Sequence, residues 1–278
     1  MKIILSRKGF DSSNGGCPSP VLPDGTMLSM PIPSDDNDRY EDLFYNNISY
    51  LELLGNLKPK RTYSSCHLDP DIRDDVRKTK PRDWKPAFGQ IDSAQGALKN
   101  AGVERGDLFL FFGWFRKTYE ENGSYHFNTR KTAESFYDYA DLHAIYGYMQ
   151  IGEIITDKEQ IKKYSWHPHA ADGRLNNKQN ALYIPAERLS FCPHMKGYGT
   201  FDYDKKRVLT REGCSRATWN KYPFLEPEHI YGTRKNSAKA DSDGIQKGLY
   251  YAGVWQELIV YESPEITEWV NEIIKNTV

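Results

Sequence analysis

The sequence predicts an α+β fold: a mixed, largely antiparallel sheet, curved or barrel-like, with flanking helices. Three observations carry this. Two aromatic-rich, glycine-punctuated runs, Gly106-Asp-Leu-Phe-Leu-Phe-Phe-Gly-Trp-Phe-Arg116 and Leu142-His-Ala-Ile-Tyr-Gly-Tyr-Met-Gln-Ile-Gly-Glu153, follow one another across a polar, turn-rich spacer, as two paired strands do. Aromatic residues make up 13% of a chain that is 38% hydrophobic, which suits an aromatic-rich core and not a disordered chain. Strand and helix patterns do not alternate regularly, so a doubly wound parallel sheet is not supported.

In chain order, Lys2 to Leu5 is expected to be a first strand, running into the loop Ser6-Arg7-Lys8-Gly9-Phe10-Asp11-Ser12-Ser13-Asn14-Gly15-Gly16. Pro18 to Pro33 is proline-rich, with a turn at Pro23-Asp24-Gly25. Leu43, Phe44, Ile48, Leu51 and Leu54 fit helical spacing, so a helix is expected from Tyr40 to Leu54, capped by Asp38 and stopped by Gly55. A second helix covers Ser93 to Asn100, and the two aromatic strands come next. A short helix from Lys158 to Tyr164 is capped by Asp157, and Asn176–Ile184 and Arg207–Thr210 read as short strands or edges. Arg234–Gly244 reads as an exposed, mobile loop and Leu249–Tyr261 as a long strand. Ser263-Pro264 opens a last helix with Ile266, Trp269, Val270 and Ile273 on one face.

The totals exclude several classes. With 278 residues there is room for one large domain or two small ones, and the formal charge of -1 gives no whole-chain field toward nucleic acid. Any nucleic-acid contact must come from a local patch. Cys17, Cys66, Cys192 and Cys214 form no CxxC pair, so neither a zinc knuckle nor a disulfide framework is indicated. The first apolar run is only Ile3, Ile4 and Leu5, too short for a signal peptide, and no segment approaches the ~20 apolar residues of a membrane helix. A reduced, cytoplasmic protein is expected.

Candidate chemistry lies in three places. His67 and Asp69 are two apart, as are His167 and His169, and in extended chain such residues point to one side. Together they offer three imidazoles and a carboxylate to one divalent transition metal (iron, zinc or manganese), with His143 as a fifth candidate. The competing reading makes both pairs turn sequences with solvated side chains. The glycine/serine loop offers a second site: Arg7, Lys8, Ser12, Ser13 and the backbone at Gly15 for a phosphate, while Asp11 with Ser12 and Ser13 equally forms an Asx-turn. Neither a Walker A loop, GxGxxG nor Gly-x-Ser-x-Gly is present. Third, Trp114 and Tyr148 on the aromatic strands are candidates to stack a base, with Arg116, Gln90 and Gln150 to read its edge; strand core is the alternative. Asp11 and Glu257 are the candidate catalytic carboxylates, Glu257 because a carboxylate in an apolar strand needs a partner or a task.

Several segments resemble, in order over nearly the whole chain, the nucleotide modification associated domain family of the third type: Ser6-Arg7-Lys8-Gly9-Phe10-Asp11-Ser12-Ser13, Pro18-Ser19-Pro20, Asp24-Gly25, His67-Leu68-Asp69-Pro70-Asp71, Phe88-Gly89-Gln90, the Gly106–Arg116 run, Leu142-His143, Gln150-Ile151-Gly152-Glu153, His167-Pro168-His169 and Leu182-Tyr183. The resemblance implies one domain over residues 1–278 and a link to systems that modify nucleic-acid bases, without implying a known reaction. The chain departs from the pattern at Ala97, where the family carries histidine, and around Gln256-Glu257, where Trp255 and Leu258 replace glycine and phenylalanine. The two aromatic runs also look like the core strands of barrels related to pseudouridine synthase and archaeosine transglycosylase (PUA-like), some of which bind flipped bases; this likeness is an analogy of fold.

The leading expectation is an enzyme that modifies a nucleotide or nucleic-acid base and depends on a metal. The alternatives are a non-catalytic reader of modified bases and a metal enzyme acting on a small molecule or peptide.

Overall fold

The structure, a computed structural model, describes residues 1–58, 63–232, 249–251 and 256–275. It is mixed α+β: a curled mixed sheet forms a half-barrel, with six helices among the described residues. The first strand, β1 (Ile3–Arg7), is apolar on both faces, with Ile3, Ile4 and Leu5 fully buried, as a central strand requires. β2 (Ser19–Val21) follows the glycine loop, and β3 (Ile32–Arg39) carries the polar run Ser34-Asp-Asp-Asn-Asp38.

The helix expected from Tyr40 to Leu54 is corrected here. Tyr40–Asp42 is a single 3₁₀ turn, and β4 (Phe44–Tyr45) and β5 (Ile48–Ser49) form a small hairpin. Only then does α1 (Tyr50–Leu57) begin, with Ser49 Oγ accepting from Glu52 N. Asn46, at φ 51°, turns the hairpin in a conformation that asparagine tolerates better than most residues. Asp38 is paired with Arg77 and does not act as a cap, and α1 passes through Gly55.

β6 (Ser65–His67) pairs with β3, and β7 (Phe88–Gln90) leads into α2 (Asp92–Asn100). The two aromatic runs form β8 (Leu108–Glu121) and β10 (Leu142–Ile155), paired antiparallel as expected. Between them, Asn122 and Gly123 both stand at positive φ and turn β8 into β9 (Ser124–Phe127), and α3 (Phe136–Tyr139) leads into β10. Then come α4 (Lys158–Ile161), capped by Asp157 as expected, α5 (Asp172–Leu175), β11 (Ala181–Pro185), β12 (Arg188–Leu189), β13 (Cys192–Lys196) and β14 (Tyr198–Thr200). Arg207–Thr210 contributes only isolated bridges, through Val208 and Thr210. Of the expected strand Leu249–Tyr261, β15 (Glu257–Val260) is present; residues 252–255 and the Arg234–Gly244 loop lie outside the described residues. α6 (Pro264–Lys275) closes the described chain, burying Ile266, Val270, Ile273 and Ile274.

The main sheet runs β15-β1-β8-β10-β11-β7, with β14 also on β10, and β2 and β9 on β8. The β1–β8 and β2–β8 pairings are parallel and the others antiparallel. Alternation along β8 feeds two cores: Leu108, Leu110 and Phe112 face α6, while Phe109 and Phe111 meet Phe88 and Tyr183 on the other side. A third core, with Phe10, Tyr40, Leu53, Leu54 and Cys66, fixes the segment that carries β3 and β6. The four cysteines are free, and no described helix is long and apolar enough to cross a membrane.

Candidate functional site

β3, β6, β7 and the 3₁₀ turn Pro168–Ala170 meet at one place, and they bring together residues from four distant segments. His67 ends β6, Asp69 follows it, and His169 sits in the turn. His67 Nε2 lies 3.7 Å and His169 Nε2 3.8 Å from Asp69 Oδ2. One ligand atom from each of these three residues falls within 4.8 Å of the other two. Ligands ~2.1 Å from a common ion lie at most ~4.2 Å apart, so both histidine–carboxylate spacings are compatible with one ion.

The neighbours decide which atoms face inward. His67 Nδ1 is 2.8 Å from Asp36 Oδ2, and Asp36 is itself held by Arg174 and by Ser34 Oγ at 2.6 Å. His67 therefore donates from Nδ1 and presents Nε2 inward, toward Asp69. His169 Nδ1 lies 2.7 Å from Asn180 Oδ1, whose Nδ2 donates to His169 O at 2.9 Å. The amide is thus oriented with its oxygen toward the ring, and His169 also presents Nε2. Asp69 Oδ1 accepts Gly89 N–H at 2.8 Å, which turns Oδ2 toward the two imidazoles. Each ligand atom is aimed by a partner on its far side, the arrangement that metal-binding histidines use to fix tautomer and ring.

Protonation follows the same geometry. Burial pushes the His169 pKa down to about 3, so its ring is neutral at ordinary pH. Burial works against charge on His67 too, but the hydrogen bonds to Asp36 and Asp69 outweigh it and hold its pKa above the ordinary value. Burial likewise opposes the Asp69 carboxylate, yet the hydrogen bonds of His167 and His67 keep its pKa well below the usual range. The site therefore offers a carboxylate, one neutral imidazole and one imidazole for whose Nε2 a cation competes with a proton.

His167 stands elsewhere than expected. Its Nδ1 accepts His169 N–H at 3.2 Å, so the ring proton is on Nε2, which faces Asp69 Oδ1 at 3.4 Å and has no other partner. It backs the carboxylate and is not one of the three inward groups. His143, the fifth expected ligand, is not brought there at all. It is buried on β10 beside Phe112 and Tyr251, with Nδ1 accepting from Trp219 Nε1 at 3.0 Å.

The three groups open onto a cleft of about 240 Å³. Its wall carries Arg7, Lys8, Asp11 and Asn14 from the N-terminal loop, with Gln90, Arg174 and Gln256, so loop and histidines do meet in space. The loop's backbone is not a free anion cradle, however. Ser13 N and Asn14 N donate to Asp11 Oδ1, and Gly16 N donates to Asp11 O. Asp11 is thus the loop's Asx-turn residue, and Ser12 Oγ accepts from Arg216. Gly15, at φ 81° with Phe10 against it, gives its carbonyl to Lys58 and Tyr63.

The expected base-contacting residues separate in the same way. Gln90 lines the cleft and donates to Glu257 Oε1 at 2.6 Å. Glu257 itself is buried behind Gln90 and Lys8. Tyr148 is buried, stacked on Phe201 and bonded to Lys196 O. Gln150 holds Gly106 O and Ser190, and Arg116 is paired with Asp141. Trp114 lies beneath the Arg216 guanidinium, 4.0 Å from its ring centre, and does not line the cleft. Asp36, Arg174 and Asn180 are the residues that sequence reasoning missed; the one local signal was the polar run Ser34–Asp38.

Fold and site together define a mixed α+β protein with a His/Asp/His cluster at the floor of a polar cleft. A family model described as nucleotide modification associated domain 3 matches residues 2–259, and the chain belongs to that family. No curated protein and no solved structure matches the chain.

Proposed function

We propose that this chain is a metal-dependent enzyme that modifies a nucleotide or a nucleic-acid base, with His67, Asp69 and His169 holding the ion. One observation carries the reading: three ligand atoms from separate segments converge, and each is aimed inward by its own outer partner. Two histidines and one carboxylate at the floor of a cleft form a donor set that suits a catalytic divalent transition metal such as iron, zinc or manganese. Held there, such an ion would activate water or dioxygen, or polarise a substrate oxygen.

The chain's own residues do the rest. Asp36 and Asn180 keep the two imidazoles in the Nε2-facing tautomer, Gly89 N–H keeps Asp69 turned, and the His167 Nε2 proton faces the oxygen of Asp69 that does not face the cluster. The family description supplies the nucleotide link. A reading without chemistry rests on stacking Trp or Tyr side chains, and among the described residues no Phe, Tyr or Trp lines this cleft.

The test is elemental analysis by mass spectrometry after chelation and reconstitution with iron(II), zinc or manganese. About one equivalent in the parent, lost in His67→Ala and in His169→Ala, is the expected result. A parent that retains none of the three metals, or variants that retain as much as the parent, overturns it.

A further inference from the structure

The cleft has a second pole opposite in charge to Asp69. Lys8 lines it, yet its side chain is only 10% exposed. The ammonium rests 4.3 Å from the centre of the Phe88 ring and makes one ion pair, 3.3 Å to Glu257 Oε1. An ammonium has three donors, so this contact leaves donors over on a group held almost out of water. Glu257 is fixed from three sides, and all three donors, Ser6 Oγ at 3.0 Å, Lys8 Nζ and Gln90 Nε2, converge on Oε1. Its Oε2 is buried with no hydrogen-bond partner among the described residues. The pair is therefore anchored at one oxygen and under-satisfied on both members, a condition that buried charges rarely hold without a ligand or ordered water nearby.

β7 ties this pole to the other. Phe88 supports Lys8, Gly89 N–H orients Asp69, and Gln90 holds Glu257, so three successive residues set both ends of one cleft. Arg7 lines the same wall, its nearest carboxylate being Asp11 at 3.7 Å. With the Ser13, Asn14 and Gly16 amides committed to Asp11, recognition of an anion by this wall falls chiefly to side chains.

We infer that Lys8, with Arg7 beside it, is an oxyanion subsite that receives the phosphate of a nucleotide, so that the phosphate enters the cleft. The inference rests on the proposed function for its nucleotide, but not on the metal for its geometry. No described Phe, Tyr or Trp lines the cleft to stack a base there, and about 240 Å³ suits a phosphate with part of its sugar. Two sources share this chemistry: a free nucleoside monophosphate and the terminal phosphate of a strand.

The experiment is calorimetric binding of inorganic phosphate, of the four deoxynucleoside 5′-monophosphates and of the four matching nucleosides. It uses the parent, Lys8→Met, Lys8→Arg and the charge-balanced double variant Lys8→Met/Glu257→Gln, which leaves no lone buried carboxylate if the single variant misfolds. Each is assayed without metal and after reconstitution with zinc. At least one monophosphate is expected to bind the parent about tenfold or more tighter than its nucleoside, with Lys8→Met and the double variant losing that margin and Lys8→Arg keeping part of it. Equal binding of all monophosphates and nucleosides by the parent, or a margin that survives both methionine variants, overturns the subsite. A 5′-phosphorylated tetranucleotide that shows the same margin over its 5′-hydroxyl form assigns the strand end as source; its failure beside a binding monophosphate assigns the free nucleotide. Zinc content, measured on the same samples, is expected to be unchanged in all Lys8 variants, so loss of the metal site and loss of the subsite are read separately.

Discussion

Gly89 leaves the space that His169 fills: a Cβ at Gly89 falls 2.2 Å from His169 Cδ2, while Gly89 N–H holds Asp69 Oδ1. One residue therefore sets two of the three inward groups, one through its backbone and one through the absence of a side chain. Gly89→Ala is expected to push the imidazole away and to weaken zinc binding about tenfold or more, with the far-ultraviolet circular dichroism unchanged. Competition against a chromophoric chelator reads this; parent-like affinity contradicts the close approach as a constraint on the site.

Asp36 fixes the tautomer of His67 and is held by Arg174 across 138 positions of chain. Asp36→Asn removes the charge and can set the amide either way, so metal affinity is expected to fall about 10- to 100-fold. His167→Ala, by contrast, is expected to weaken binding without abolishing it, because His167 backs the carboxylate and is not one of the three. A chelator titration of the three proteins gives the ranking directly; equal loss in His167→Ala and His169→Ala would return His167 to the ligand set.

His143 makes stability depend on pH. Burial, reinforced by the charges of Arg216 and Arg7, lowers its pKa to about 3. In the unfolded chain it titrates near 6.5, so between these values the unfolded state binds more protons and stability rises with pH. The contribution is complete above pH 6.5 and declines as pH falls toward 3. Between pH 7.5 and 5.0 the parent is expected to lose about 2 kcal/mol that His143→Gln does not lose, as judged by urea unfolding at both pH values.

Gln150 is a fastening of the sheet. Its amide joins Gly106 O, Ser190 Oγ and Ser190 N, all partly or fully buried. Gln150→Ala is expected to cost about 1–3 kcal/mol of stability and to leave metal and phosphate binding as in the parent. A normal denaturation midpoint with impaired ligand binding would instead give Gln150 the recognition role that its place in the sequence suggests.

Ser49 starts α1, and Ser49→Ala is expected to destabilise by about 1 kcal/mol. Asp38→Ala acts through the Arg77 pair and not through a helix end. Hydrogen exchange at Leu51 and Glu52 distinguishes them, since only the first substitution speeds it.

These residues also show where the sequence was readable. The pairing of β8 with β10 was legible because alternation and glycine placement are local, and the end of β8 is marked by Asn122-Gly123. The His67/Asp69 and His167/His169 spacings were legible as pairs. That Asp69 would draw in one histidine from each pair, and that His167 would turn its Nδ1 to the backbone, depends on contacts between segments about 100 residues apart. Asp36 carries only the unspecific signal of the polar run Ser34–Asp38 and Asn180 none, since an aspartate in a polar run and an asparagine in a turn look the same with or without an imidazole beside them. The Tyr40–Leu54 helix failed for a different reason: helical spacing of Leu43, Phe44 and Ile48 coincides with a hairpin whose turn at Asn46 breaks the helix, and Ser49 caps a later start.

The neighbour of β1 on one side is β8 and on the other β15, joined by Ile3↔Val260 and Ser6↔Glu257. During synthesis, β1 is thus made well ahead of β15, and 251 positions separate Ser6 from the Glu257 it pairs with, so its outer edge waits for that length of chain to be covered. Until then it presents the unpaired amides of an apolar strand, an invitation to aggregate, and Lys8 has no counter-ion. A nascent chain stalled before residue 257 can hold its aromatic core but not its finished cleft, so the supply of competent protein depends on keeping that early edge shielded until β15 has been made.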